Sequence, residues 1–456
     1  MSGSYTTGYK HLSFHDAVPA MLEGGDSPSA YLERCLAVIE KREPEVRAWQ
    51  SMRIDGARED AAASSARYAA GKPLSLIDGM PVGLKDLIQT RDLPTSLGIE
   101  GNEQATTGQD SACVQALRDA GAIILGKVTT TELGGGWPSK SKNPFDPART
   151  PGGSSSGSGA AIGAGMIPVA IGTQVAGSII RPSAFCANFA IKPTYGALHR
   201  GERQALSQAC LGVHAGSLTD MWRTAMAIGS RTGGDPGHPG LFGGDDLSAP
   251  VRPVRLGVVE SDGWALADPR ARQALEAILD LLAGHGVTFL RRADSPEMEA
   301  LETAIAGGNR MAGFLVTYEN RWLLENLYQT MPEKLSSMTK RMYDAGQKIE
   351  LSEYRKALAD REVARMRMAA LASQCDALIT LSCLGPAPRI DSGGGTGDPA
   401  FNTFASALGG PAVTLPLIEI DGMPVGVQLV GQWHSDERIC GIARWIQEAV
   451  LPVRGS

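Results

Sequence analysis

The 456-residue chain is short of cysteine, of long apolar runs and of excess charge of either sign. Its cysteines stand at 35, 113, 186, 210, 375, 383 and 440, an odd number without a C-x-x-C pair. That spacing argues against a disulfide framework or a zinc site, and reduced thiols in a cytoplasmic protein are the plainer reading. The longest apolar stretch, from Ala160 to Gly172, is interrupted by glycines and Pro168. At about 13 residues it is too short to cross a bilayer. Met1 to Thr7 carry neither the charged segment nor the apolar run of a secretory leader. A formal net charge of -6, with the two signs interspersed, offers no footprint for nucleic acid. There is no G-x-x-x-x-G-K-[ST], and Gly157 to Gly163 misses G-x-G-x-x-G by one place, so phosphate binding is unsupported. The histidines are dispersed outside the glycine-rich tracts, with His214 and His238 read as surface or hydrogen-bonded residues. Neither a metal nor a cofactor is expected.

What is present is a soluble-protein composition, 43% hydrophobic and 20% charged, in a chain long enough for one extended core. Residues 1–70 read as N-terminal helices: Ser27-Pro28-Ser29 is a helix start, and Leu32, Leu36 and Ile39 follow at helical spacing. From 71 to 260 short apolar runs alternate with helical segments, the pattern of a β-sheet covered by helices. Residues 132–159 form a long loop rich in glycine, serine and proline, of a length that points to function or disorder. Residues 265–372 read as a helical insertion that caps the site, with Glu350 to Ala372 as one long helix. Strands return over 373–456, where Asp421-Gly422 marks a turn.

Three segments carry the chemistry: Gly79 to Asp86, Gly152 to Gly159 and Gly172 to Pro182. Lys85 closes an apolar run, so burial should lower its pKa and leave part of it neutral near pH 7, fit to act as a base. The small residues of the third segment allow backbone N–H groups to converge on one point, as stabilisation of an oxyanion requires. Ser178, at the end of that tract, is the natural nucleophile.

The second and third segments, continued through Ser183 to Cys186 and Lys192-Pro193-Thr194, resemble the amidase signature. The lysine segment, Asp110 to Lys127, Gly409-Gly410-Pro411-Ala412 and Met423 to Gln428 also match, so the likeness covers roughly 75–200 and 375–445. The resemblance implies an α/β fold in which a mixed β-sheet core is covered by helices on both faces, forming a single amidase domain over 1–456. It implies a Ser–Ser–Lys triad of Lys85, Ser154 and Ser178, with a cis peptide before Ser154. The N–H groups of Val175, Ala176, Gly177 and Ser178 would form the oxyanion hole.

Many relatives carry aspartate where this chain has Gln174, glycine at Ala176 and arginine at Ile180. Here the arginine is Arg181, an arrangement similar to the malonamidase-like branch, in which the arginine grips a substrate carboxylate. Arg181, Gln174, Gly135, Gly136 and Trp137 are therefore the expected substrate-binding residues, with Trp137 as a pocket wall. Arg181 has an equal alternative as an internal hydrogen-bonding residue, and Pro182 should hold it away from the α region.

Two decoys lie nearby. Gly153 to Gly157 fits G-x-S-x-G with Ser155 as nucleophile, but that motif needs a strand before it, and the upstream sequence is loop. Ser139 to Lys142 fits S-x-x-K without its partner motifs. The expected protein is thus a free-standing amidohydrolase of small or aryl amides or carbamates (urethanes), with a homodimer compatible and no nucleic-acid or membrane partner. The alternatives are an amidotransferase or carboxyamide-hydrolase subunit working in a complex, or a binding protein on an inactive scaffold.

Overall fold

Among the described residues eleven strands form one mixed sheet, in the order β1-β3-β2-β4-β6-β5-β10-β11-β9-β7-β8. They are β1 (Trp49–Met52), β2 (Pro81–Lys85), β3 (Ile123–Val128), β4 (Val169–Gln174), β5 (Phe189–Lys192), β6 (Cys210–Ala215), β7 (Arg255–Val258), β8 (Thr288–Leu290), β9 (Ala377–Leu381), β10 (Ala412–Ile420) and β11 (Met423–Val430). The computed structural model describes residues 11–201 and 206–450; the leader reading of Met1 to Thr7 lies outside them.

Strand β2 runs parallel to both β3 and β4, and β4 then pairs antiparallel with β6. A strand flanked in this way must be apolar on both faces. Every residue of β2 is buried, Lys85 included. Side chains alternate between the two layers of core, as the period of a strand requires. Val169 and Ile171 of β4 join one cluster while Ala170 joins the other. The helices Leu218–Thr232 and Asp436–Val450 contribute to the first cluster, and Pro28–Val46 and Ser156–Gly163 to the second. At the far side β10 and β11 form a hairpin whose turn has Asp421 and Gly422 at φ 53° and 75°. Both turn residues are left-handed, as a two-residue hairpin matched to strand twist demands.

Local signals decide several helix ends. Ser27 caps Pro28–Val46 by accepting from Ala30 N, and Glu350 with Glu353 forms a capping box on Leu351–Ala370.

Two of the expected helical segments also contain strands. Residues 1–70 contain β1 as well as helices, and β1 pairs antiparallel with β3 at the sheet edge. The 265–372 insertion begins with sheet structure: helix Pro269–Gly284 leads into β8, which pairs parallel with β7. The purely helical run is Pro296–Ala370. Strands of three and four residues are too short to show a period in sequence, and hydrogen bonding to a neighbouring strand is what makes them strands.

Candidate active site

Lys85 ends the interior strand β2, and its side chain is fully buried. Burial pushes its ammonium group well below the usual lysine range. Its Nζ lies 2.7 Å from Ser154 Oγ, 2.9 Å from Thr173 Oγ1 and 3.2 Å from Thr173 O. None of these partners is a carboxylate, and among the described residues Lys85 has no ion pair. A neutral amine has two N–H groups and one lone pair. In that form two N–H bonds to Thr173 would leave the lone pair for the Ser154 hydroxyl, the disposition a base needs, whereas the charged form donates to Ser154 Oγ.

The adjacent Asp86 turns the other way. Its carboxylate accepts from Ser96 N and Ser96 Oγ and lies 3.2 Å from Lys127 Nζ, so both charges of that pair are buried.

Ser154 follows a cis peptide from Gly153, and Gly152 before it has φ 85°. A side chain on Gly152 would meet Pro182 Cα at 2.8 Å, so only glycine lets the two segments approach. The Ser154 carbonyl accepts from Thr131 N and Thr130 Oγ1. The neighbouring Ser155 is fully buried and donates to Thr173 O at 3.3 Å. It stands at the start of helix Ser156–Gly163 with no strand before it, which leaves the G-x-S-x-G requirement unmet.

Ser178 lies in the short turn after β4 and is 9% exposed, against 4% for Ser154 and 0% for Lys85. In that turn the N–H groups of Val175, Ala176, Gly177 and Ser178 donate to no described residue. The carbonyls, by contrast, are engaged. Val175 O accepts from Gln208 Nε2, Ala176 O from Ser406 Oγ and Gly177 O from Arg181 N. Unpaired donors grouped in one turn form a concavity suited to an anion.

Arg181 belongs to helix Ile180–Phe185, which starts two residues after Ser178 and accommodates Pro182. The expected exclusion of Arg181 from the helical region therefore does not hold. Pro182 sits in the first turn, where a backbone N–H lacks an intrahelical acceptor in any case. The Arg181 guanidinium donates from Nε to Thr396 O and from Nη2 to Gly153 O and Thr396 Oγ1. It thereby ties the serine segments of 154 and 178 together. Only Nη1 is unpartnered, packed against Gly177, and burial pushes the group down to about 10.

The remaining expected residues fall in two places. Gln174 is fully buried, accepting from Ile179 N and Ile180 N while its Nε2 donates to Ser406 Oγ. With these bonds made it is a cap on the helix after Ser178 rather than a substrate contact. Gly135 and Gly136 lie on the loop beside Ser154; a methyl on Gly134 would stand 3.5 Å from Ser154 Oγ, and one on Gly136 3.3 Å from Met338 Sδ. Trp137 is 45% exposed, so it stands at the surface and does not wall an enclosed pocket. The loop meets the helical region through Glu132, whose carboxylate accepts from Ser336 N.

Sequence reasoning missed Thr173, Gln208, Thr396 and Ser406. Thr173 lies inside the third glycine-rich segment and Ser406 just ahead of the Gly409-Gly410 motif, but neither has a spacing that marks it. His214, read as a surface or hydrogen-bonded residue, is fully buried with Nδ1 against Ser183 Oγ at 2.7 Å. Its Nε2 approaches Gly172 so closely that a methyl there would collide with the ring.

A family profile described as Amidase matches residues 30–440. The chain is 28% identical to a subunit of the glutamyl-tRNA(Gln) amidotransferase of Chloroflexus aggregans, over 92% of this chain and 93% of that one. A crystal structure of an amidase superposes with a TM-score of 0.84 at 23% identity, covering 96% of this chain and 100% of the other. The peptide amidase from Stenotrophomonas maltophilia does so at 0.80 and 24%, covering 97% and 98%. At those identities the two structures speak for the fold. Among the described residues no helix is long and apolar enough to cross a membrane, and no cluster of side chains is suited to a metal ion.

Proposed function

The chain belongs to the amidase family of hydrolases acting on carbon–nitrogen bonds, and from that premise we propose that it is a free-standing amidohydrolase of small or aryl amides and carbamates. The observation that carries this reading is the buried Lys85 amine, set 2.7 Å from Ser154 Oγ with no carboxylate partner to keep it charged.

In the proposed mechanism neutral Lys85 draws the proton of Ser154, which draws that of Ser178 as Ser178 Oγ attacks the carbonyl carbon. The new O⁻ is received by the free N–H groups of Val175, Ala176 and Gly177. Collapse breaks the carbon–nitrogen bond, Ser154 returns a proton to the leaving amine, and water releases the acyl group by the same relay. An N-aryl carbamate presents a carbonyl open to the same attack and loses the same aryl amine, leaving an alkoxycarbonyl group on Ser178 for water to release.

The malonamidase-like likeness is narrower here than the spacing suggests. With Nε and Nη2 engaged, Arg181 has only the N–H groups of Nη1 to offer, one nitrogen suited to a polar carbonyl rather than the two-nitrogen fork around a carboxylate.

A sulfonyl fluoride should add to Ser178, located by peptide mass, and the isolated chain should turn over anilides or aryl carbamates. Labelling of Ser155 with Ser178 untouched would overturn the assignment. A second reading, in which the chain works only inside a complex, is favoured by the near full-length likeness to a component of an amidotransferase. Co-purifying partner proteins together with an inert isolated chain would decide for it.

A further inference from the structure

The turn that follows β4 presents free N–H groups on one side and engaged carbonyls on the other. We propose that Ser406, oriented by Gln174, is a positioning residue that sets the oxyanion-binding N–H of Gly177. This inference rests on the nucleophilic role of Ser178.

In a planar trans peptide the carbonyl of one residue and the N–H of the next point in opposite directions. A group that holds Ala176 O therefore aims Gly177 N–H. Ser406 Oγ is that group, donating at 2.7 Å. By the same geometry Gln208 Nε2 on Val175 O aims Ala176 N–H, and Arg181 N on Gly177 O aims Ser178 N–H.

The direction of the Ser406 proton is itself determined. Gln174 Oε1 accepts two backbone N–H groups, from Ile179 at 2.8 Å and Ile180 at 3.0 Å, so the other end of the amide is its nitrogen. That nitrogen donates to Ser406 Oγ at 3.0 Å, leaving the single hydroxyl proton for Ala176 O. Gln174 and Ser406 are both buried, so water does not compete for these bonds. The clamp thus joins β4, the helix after Ser178 and the helix Thr403–Leu408 around one turn.

The helical region supports the clamp from behind. Arg365 Nε donates to Ala407 O in the Ser406 helix, and Arg361 Nη1 donates to Ser207 Oγ beside Gln208. Glu319 accepts from Ser207 N at 2.8 Å. The region expected to act as a cap therefore also buttresses the carbonyl side of the turn.

The test compares Ser406→Ala with Ser406→Thr, which keeps the hydroxyl, on an anilide substrate. Loss of one oxyanion donor costs about 100-fold or more in kcat, and a misaimed donor should cost about tenfold at unchanged KM. Affinity for an arylboronic acid, which forms a tetrahedral adduct on serine, should fall in step with kcat, and Ser406→Thr should recover both. Ser406→Cys, nearly isosteric and a weak donor, gives the same comparison if the alanine variant does not fold. Unchanged kcat, or a loss of melting temperature without a selective loss of boronate affinity, overturns the positioning role. Sulfonyl fluoride labelling separates the two levels of inference. Ser178 labelled in wild type and in Ser406→Ala confines any failure to the clamp, whereas an unlabelled wild-type Ser178 removes the nucleophile and the clamp together.

Discussion

Lys85 Nζ and Ser154 Oγ are 2.7 Å apart and buried, and the lysine has hydroxyl and carbonyl partners only. A base acts in its deprotonated form, so kcat/KM should rise with pH and level off above the folded-state pKa of Lys85. Burial places that value well below the 10.5 of a free lysine. Lys85→Ala should abolish turnover, while Ser154→Ala should leave a trace because water can partly replace the bridging hydroxyl. A Lys85→Ala enzyme with near-normal kcat and the same pH profile would remove lysine from the mechanism.

Arg181 gives a prediction about specificity. Its three engaged bonds hold Gly153 and Thr396, and lysine cannot reproduce that planar set. Arg181→Lys should lower the melting temperature and reduce kcat/KM on a neutral and an acidic substrate alike. A rise in KM confined to the acidic substrate would instead restore the carboxylate grip.

The pair beside Lys85 bears on stability. Asp86 and Lys127 are both buried, at 3.2 Å. Asp86→Asn removes one charge and strands the other, a change that costs about 3–5 kcal/mol where a buried pair is broken. Chemical denaturation should show a loss of that size, with the slope against denaturant unchanged.

His214 predicts a shape for acid unfolding. Burial pushes its pKa down to about 3, against 6.5 for the free side chain. The unfolded chain binds this proton more readily than the folded one, so stability falls as pH drops below 6.5 toward 3. His214→Asn, which can still pair with Ser183, should show a shallower fall of melting temperature between about pH 6 and 4. An unaltered slope would assign the acid sensitivity to other groups.

Much of this molecule is visible without coordinates. Lys85 at the end of an apolar run, the glycine tract before Ser154 and the small residues leading to Ser178 each state a local requirement: a desolvated amine, a close backbone approach, a turn with free N–H groups. Such requirements depend on neighbours in the chain, so residue type and spacing reveal them, as they do the long helix Leu351–Ala370 and the Asp421-Gly422 turn. The edge strands β1 and β8, the capping role of Gln174, the three-way tie of Arg181 and the clamp from Ser406 became clear only on folding. Apart from the Gln174 cap, whose partners Ile179 and Ile180 are near in the chain, each depends on a distant partner, Ser406 lying 232 residues from Gln174. A serine or glutamine in isolation carries no mark of the carbonyl it will hold. The chemistry open to this protein is therefore written in residue type and spacing. Which side chains serve that chemistry waits on folding, because hydrogen bonds are selected by proximity in space and not by order in the chain.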